Sequence, residues 1–232
     1  MTTDALSPGQ IARLRRRGRL LLLLDAAERA AVTPIASARL HAFAYLSDVL
    51  SPVWDLPAFD GKILKIDGGP HYPDLQDELD HLVVLGLVEV SDLAYVGRGE
   101  NGARIEGNYA LNFASPFLAP LLAGLGAGGQ DAAIDPDDRH VHRFMVELAG
   151  ALATLPNDEI DIAASVDVTY RSVNALNNIV DFAEWAEDAW QANPSWQASE
   201  RFEAFLPEDA GLSPGEKLYL YATYLGRVAH AA

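Results

Sequence analysis

Apolar residues recur along the first part of the chain at close to the ~3.6-residue period of a helix. Ser7 followed by Pro8 has the form of an N-cap and first helical position, and predicts a helix to about Ala31 with Ile11, Leu14, Leu21, Leu24 and Ala27 or Ala31 inward. Thr33-Pro34 repeats that start for a second helix carrying Ile35, Leu40, Phe43, Ala44, Leu46 and Leu50, which Pro52 ends. A proline-punctuated stretch then leads to a short strand over 61–66, closed by Asp67-Gly68-Gly69-Pro70. Pro73-Asp74 opens a third helix with Leu75, Leu79, Leu82, Val83 and Leu85 inward and Gly86 just past its end. Two β-rich runs follow, 87–96 and 104–112, around a glycine-rich segment containing Asn101-Gly102, which is hairpin chemistry. Helix, helix, strand, helix and β-hairpin in this order predict a winged helix, with each element signalled locally.

Beyond Asn112 the pattern turns helical. Ser115-Pro116 starts a short helix to about Leu122, and Asp135-Pro136 caps one to about Leu155. Further helices are expected from Pro156-Asn157 through Ser165, from about Asn178 to Trp190, and from Pro194-Ser195 to Leu206. The last begins at Ser213-Pro214, where Ser213 and Glu216 have capping-box spacing. The fold class expected is mostly α with a minor β component: a winged-helix domain over 1–123, a linker over 124–134 and a helical, bundle-like domain over 135–232.

Charge narrows the partners. The formal net charge is -16 and half of the residues are hydrophobic, which is enough for a packed core and unfavourable for DNA, RNA or anionic membranes at long range. The chain has no cysteine, so disulfides, thiolate metal sites and a cysteine nucleophile are excluded, in keeping with a reducing cytoplasm. Arginines 13, 15, 16, 17 and 19 precede Leu20 to Leu24 in the manner of an export signal. That apolar run stops at Asp25, short of the ~7–15 residues an export signal needs. A soluble, cytoplasmic protein without membrane contact is expected.

In a winged helix the third helix is the one that enters the major groove. Here its polar positions are Asp74, Gln76, Asp77, Glu78, Asp80 and His81, with no lysine or arginine. Phosphates need cations, and guanine is read mainly by arginine, so a protein-docking or structural role is expected for this helix. Arg13, Arg16 and Arg17 fall on one helical face, suited either to phosphate or to an acidic surface of a partner or of the chain's own second half.

The remaining motifs carry little chemistry. Residues 124–129 match G-x-G-x-x-G, but an apparent helix precedes them where a dinucleotide site requires a strand, so they read as a linker. Asp135, Asp137, Asp138, His140 and His142 form the densest set of metal-ligand types, and acids in a first helical turn explain it. Asp158, Glu159, Asp161, Asp167 and Asp181 supply carboxylates without a recognisable acid–base pair, and His41, His71 and His81 are scattered without a serine elbow. The expected catalytic, cofactor-binding and metal-binding sets are therefore empty. Aromatics crowd the tail, among them Trp185, Trp190 and Trp196; core packing accounts for most of such a set, and exposed members would suit a protein interface.

The runs Thr33-Pro34-Ile35, Ala44-Tyr45-Leu46, Gly61-Lys62-Ile63-Leu64-Lys65 and Gly69-Pro70-His71-Tyr72-Pro73-Asp74-Leu75 resemble the small middle components of bacterial ABC-three-component defence systems. Val180-Asp181-Phe182, Asn193-Pro194-Ser195 and 212–218 are similar to them. The resemblance implies a winged-helix-like accessory subunit that connects an SMC-like ATPase with an effector, and it carries no catalytic signature. The expected function is accordingly a non-enzymatic adaptor. Its protein contacts are expected at Asp74, Asp77, Glu78, Asp80, Trp185, Trp190 and Trp196, with phosphate or acidic-partner contact at Arg13, Arg16 and Arg17 and DNA touched only within the complex. The alternative is a winged-helix transcription regulator binding DNA as a dimer, with a hydrolase a distant third.

Overall fold

A computed structural model describes residues 6–58, 62–66, 69–97, 103–127, 136–156, 159–172, 179–182, 192–207 and 211–231. The chain is mostly helical with small antiparallel sheets. Helix α1 spans Pro8–Arg29 and begins as expected on Ser7, whose hydroxyl accepts from the Gln10 amide while the Gln10 side chain accepts from the Ser7 amide. Its interior differs from the expected single apolar stripe: Ile11 and Leu14 face solvent, whereas every residue from Gly18 to Ala27 is buried. Leu20 to Leu24 are apolar on all faces, and such a helix is stable only when surrounded. Helices α2 (Ser37–Leu50), α3 (Pro73–Val84) and α5 (Pro136–Leu152) pack against it.

The second helix starts later than Thr33-Pro34 predicts. Ile35–Ala36 form a short strand, β1, because their backbone pairs antiparallel with Tyr109 and Asn108, and α2 follows from Ser37. The expected strand before α3 is a hairpin of β2 (Lys62–Ile66) and β3 (Gly69–His71), whose turn lies outside the described residues. After α3 come β4 (Val88–Gly97) and β5 (Ala103–Leu111), joined through a tip that is likewise outside the described residues. The first sheet has the order β1-β5-β4 and the second the order β3-β2-β6.

Strand β6, Ile179–Asp181, overturns the first part of the helix expected from about Asn178 to Trp190, since it pairs antiparallel with Lys62 to Leu64; residues 183–190 of that expectation lie outside the described residues. The edge of β2 has backbone groups to satisfy, and Ile179 and Val180 are β-branched and suited to do so. Among the described residues the remaining α-helices are α4 (Leu118–Gly124), α6 (Ile160–Val166), α7 (Val168–Arg171), α8 (Pro194–Glu200) and α9 (Pro214–Ala231). The Ser213–Glu216 capping box forms as its spacing predicts.

Buried apolar side chains make one cluster that draws on both sides of the 124–134 stretch, from Leu20 and Tyr45 to Phe144 and Tyr221. Gly126, inside the G-x-G-x-x-G match, has φ +90°, and a Cβ there would lie 2.8 Å from the Asp138 carbonyl. Its role is close packing against the start of α5. No helix among the described residues is long and apolar enough to cross a membrane.

Candidate interaction site

Helix α3 divides its side chains by helical spacing. Leu75, Leu79 and Leu82 point into the core and Val83 is half-buried, but Leu85, just past the helix, is exposed instead of inward, beside the exposed Val84. Asp74 and Glu78, four apart, face α1. There Arg16 reaches Asp74 at 3.2 Å, Arg17 holds Glu78, and Arg13 stands 3.9 Å from the same carboxylate. The basic face predicted for phosphate or for an acidic surface thus meets an acidic surface in the first half of the chain, not the second. Arg15 stays exposed, while Arg19 is buried among Asp48, Ser47 and the Ala44 carbonyl, at 3.1, 2.7 and 2.5 Å. Arg19 belongs to the core, where Tyr72 also donates to Asp48.

On the other flank of α3 lies a cleft of about 560 Å³ between this helix, the start of α2, β3 and the β4–β5 hairpin. Its polar floor is a directed chain of hydrogen bonds. The Tyr72 amide donates to His41 Nδ1 at 3.2 Å, which leaves the imidazole proton on Nε2 to donate to Gln76 Oε1 at 3.1 Å. The Gln76 amide nitrogen then donates to Asp80 at 2.9 Å and to the Tyr109 hydroxyl at 3.2 Å. His71 packs its ring against His41. Burial, and the negative charge of Asp80, push the Tyr109 phenol above its ordinary range, so it stays a proton donor.

The hairpin wall of the cleft depends on a bulge. Ser91 pairs with Asn108 and Ala94 with Glu106, so Asp92 and Leu93 oppose the single residue Gly107. Asp92 sits at φ +53°, and its carboxylate accepts from Ser91 Oγ and Asn108 Nδ2. A Cβ at position 107 would lie 2.8 Å from Val90 and 2.9 Å from Leu93, so glycine is what lets both lie over the cross-strand position. Leu93 ends 61% exposed and lines the cleft with Val83, Val84 and Val90.

A second polar cluster is closed to solvent. Asp167, fully buried, accepts from Tyr45 Oη at 2.5 Å, Tyr221 Oη at 2.6 Å, Ser195 Oγ at 2.8 Å and the Thr169 and Tyr170 amides at 2.9 and 3.2 Å. Burial and then the charge of Asp167 push both phenols upward, which keeps them as donors. Asn193 ties the same corner to α2 through the Val49 carbonyl at 2.8 Å. This carboxylate joins α2, α7, α8 and α9.

Several of the other predicted groups pair within the fold. His142 pairs with Asp25 at 2.8 Å rather than with Asp138, and His140 meets the Trp54 carbonyl at 2.8 Å. Glu159 pairs with His230 at 3.2 Å and Asp181 with Lys62 at 3.0 Å. Trp196 is half-buried against the core, whereas Trp185, Trp190, Asp135 and Asp158 lie outside the described residues. Gln76, Tyr109 and Leu93 escape a reading of local motifs. The one available signal was in β4, where the apolar positions change parity from Val88 and Val90 to Leu93 and Tyr95. No protein-family model matches the chain, and no curated protein or solved structure matches it.

Proposed function

We propose that the chain is a non-enzymatic accessory subunit that works by holding protein partners, built on a winged helix within residues 1–123. The order α1-β1-α2-α3-β4-β5 and the sheet order β1-β5-β4 support that assignment, with the β2–β3 hairpin inserted before the third helix. The observation that carries the docking role is the division of charge on α3. Its flank toward α1 is already matched by arginines, and what remains outward is Asp77 and Asp80 beside an apolar cleft. Phosphate is repelled by such a face, and a protein surface is not. The partners proposed are those of the resemblance, an SMC-like ATPase and an effector bridged by this subunit in the cytoplasm.

Affinity purification of the tagged chain from its native host, with mass identification of what accompanies it, tests the reading. A coiled-coil ATPase recovered in fixed ratio is the expected result, and Asp77→Lys with Asp80→Lys should reduce its recovery. Recovery of the chain alone, together with salt-sensitive, sequence-dependent retardation of DNA, would replace this reading with that of a dimeric regulator.

A further inference from the structure

Two concavities meet on the outer side of α3. The apolar cleft of about 560 Å³ adjoins a dimple of about 260 Å³ lined by Asp77, Asp80, His81 and Val84, and they share Asp80 and Val84. We infer that together they bind a peptide segment of a protein partner in which an apolar side chain stands close in sequence to a lysine or arginine. The inference rests on the docking reading above and specifies the chemistry of its occupant.

Three observations select that chemistry. Val84 is 85% and Leu93 61% exposed, so the cleft presents apolar surface that gains on being covered. Its volume falls within the ~300–1,000 Å³ of ordinary ligand sites, enough for a leucine or phenylalanine and its flanking backbone. Asp77 and Asp80 have no ion pair among the described residues, in contrast to Asp74 and Glu78 on the same helix. A guanidinium or ammonium in the dimple would match them. The third observation is the end of the hydrogen-bond chain. Asp80, as a carboxylate, only accepts, so the Gln76 amide nitrogen must face both it and Tyr109. The Tyr109 hydroxyl is therefore an acceptor from Gln76, and its own proton has no acceptor among the described residues. A peptide carbonyl entering the cleft would supply one.

Charge separates this occupant from its competitors. Nucleic acid would bring phosphates against Asp77 and Asp80, and a second copy would bring another chain of net charge -16. Because the dimple and cleft share a wall, cation and anchor must be neighbours: three or four residues apart on a helix, two on a strand.

The test is selection of random peptides displayed on phage against the immobilised whole chain, followed by fluorescence anisotropy with the enriched peptides. Enrichment of one apolar residue beside a lysine or arginine is expected. Leu93→Glu should weaken binding by at least about tenfold, since it charges the anchor wall at a position whose exposure leaves folding intact. Asp77→Asn with Asp80→Asn should cost about fivefold at low salt and less at high salt. Tyr109→Phe should cost about threefold, and Asp138→Asn, on α5, nothing. Failure to enrich any peptide, enrichment of peptides without a cation, or equal binding by the three cleft variants would overturn the assignment. So would a small molecule retained in native mass spectra of the wild type and lost from Leu93→Glu. If the partner recovered from the host is held equally by wild type and Leu93→Glu, the cleft assignment fails while the docking reading stands. Recovery of no partner by the wild type removes the docking reading itself.

Discussion

Two polar networks among the described residues use the same side-chain chemistry and end differently. Around Asp167, two tyrosine hydroxyls, one serine and two backbone amides converge on a carboxylate that is fully buried. Around Gln76, a histidine, a tyrosine and an aspartate are chained, and the chain runs out to an exposed carboxylate at the rim of a cleft. A closed network cannot exchange partners without opening the core, so it specifies how helices dock. An open one has polar groups left over at the surface, which is the condition for recognising something else.

The largest test of that contrast is Asp167→Ala. It leaves the hydroxyls of Tyr45, Tyr221 and Ser195 buried without their acceptor, and should lower stability by about 3–5 kcal/mol in urea unfolding. Next is the same one-atom truncation made in both networks. Tyr45→Phe removes a donor from a buried carboxylate and should cost about 1.5–3 kcal/mol, whereas Tyr109→Phe should cost about 0.5 kcal/mol or less, because Gln76 keeps Asp80 as acceptor. Equal costs for the two phenylalanines would mean that the closed and open networks do not differ in what they contribute to stability.

Gly107→Ala probes what shapes the open site. The added methyl must displace Val90 or Leu93, so a loss of about 1 kcal/mol is expected, with altered amide shifts in β4 rather than around Asp167. The smallest effect is one of pH, at a third polar pair. Burial works against the Asp25 carboxylate, but hydrogen bonds from His142 and Arg29 outweigh it and hold its carboxyl below the ordinary value. A carboxyl depressed in the folded state contributes its stability above the unfolded value, near ~4, and loses it as pH falls through the lower folded one. Asp25→Asn should therefore flatten the fall in unfolding free energy below about pH 4, as read from unfolding midpoints.

What was legible in the sequence is what one segment decides for itself. Ser7-Pro8 and Ser213 with Glu216 start helices where those residues predict, because a cap is satisfied by amides within its own turn, and Pro73 starts α3 through its fixed φ, since Tyr72 before it makes no side-chain cap. The acidity of α3 was equally visible, since four carboxylates on twelve residues are a local fact. What the chain order could not show is which face meets which. Arg13, Arg16 and Arg17 look free until α1 is laid beside α3, and Arg19, two residues on from Arg17, turns out to be core. Ile179 and Val180 pass for a helix start until the edge of β2 offers them a ladder. The bulge at Asp92, the proton on His41 Nε2 and the convergence on Asp167 join residues far apart in the chain: Asp92 opposes Gly107, His41 meets Tyr72 and Gln76, and Tyr45 and Tyr221 meet on Asp167. Long-range pairing of hydrogen-bonding groups is settled only when the core closes, since an unsatisfied buried donor or acceptor has no remedy within its own segment.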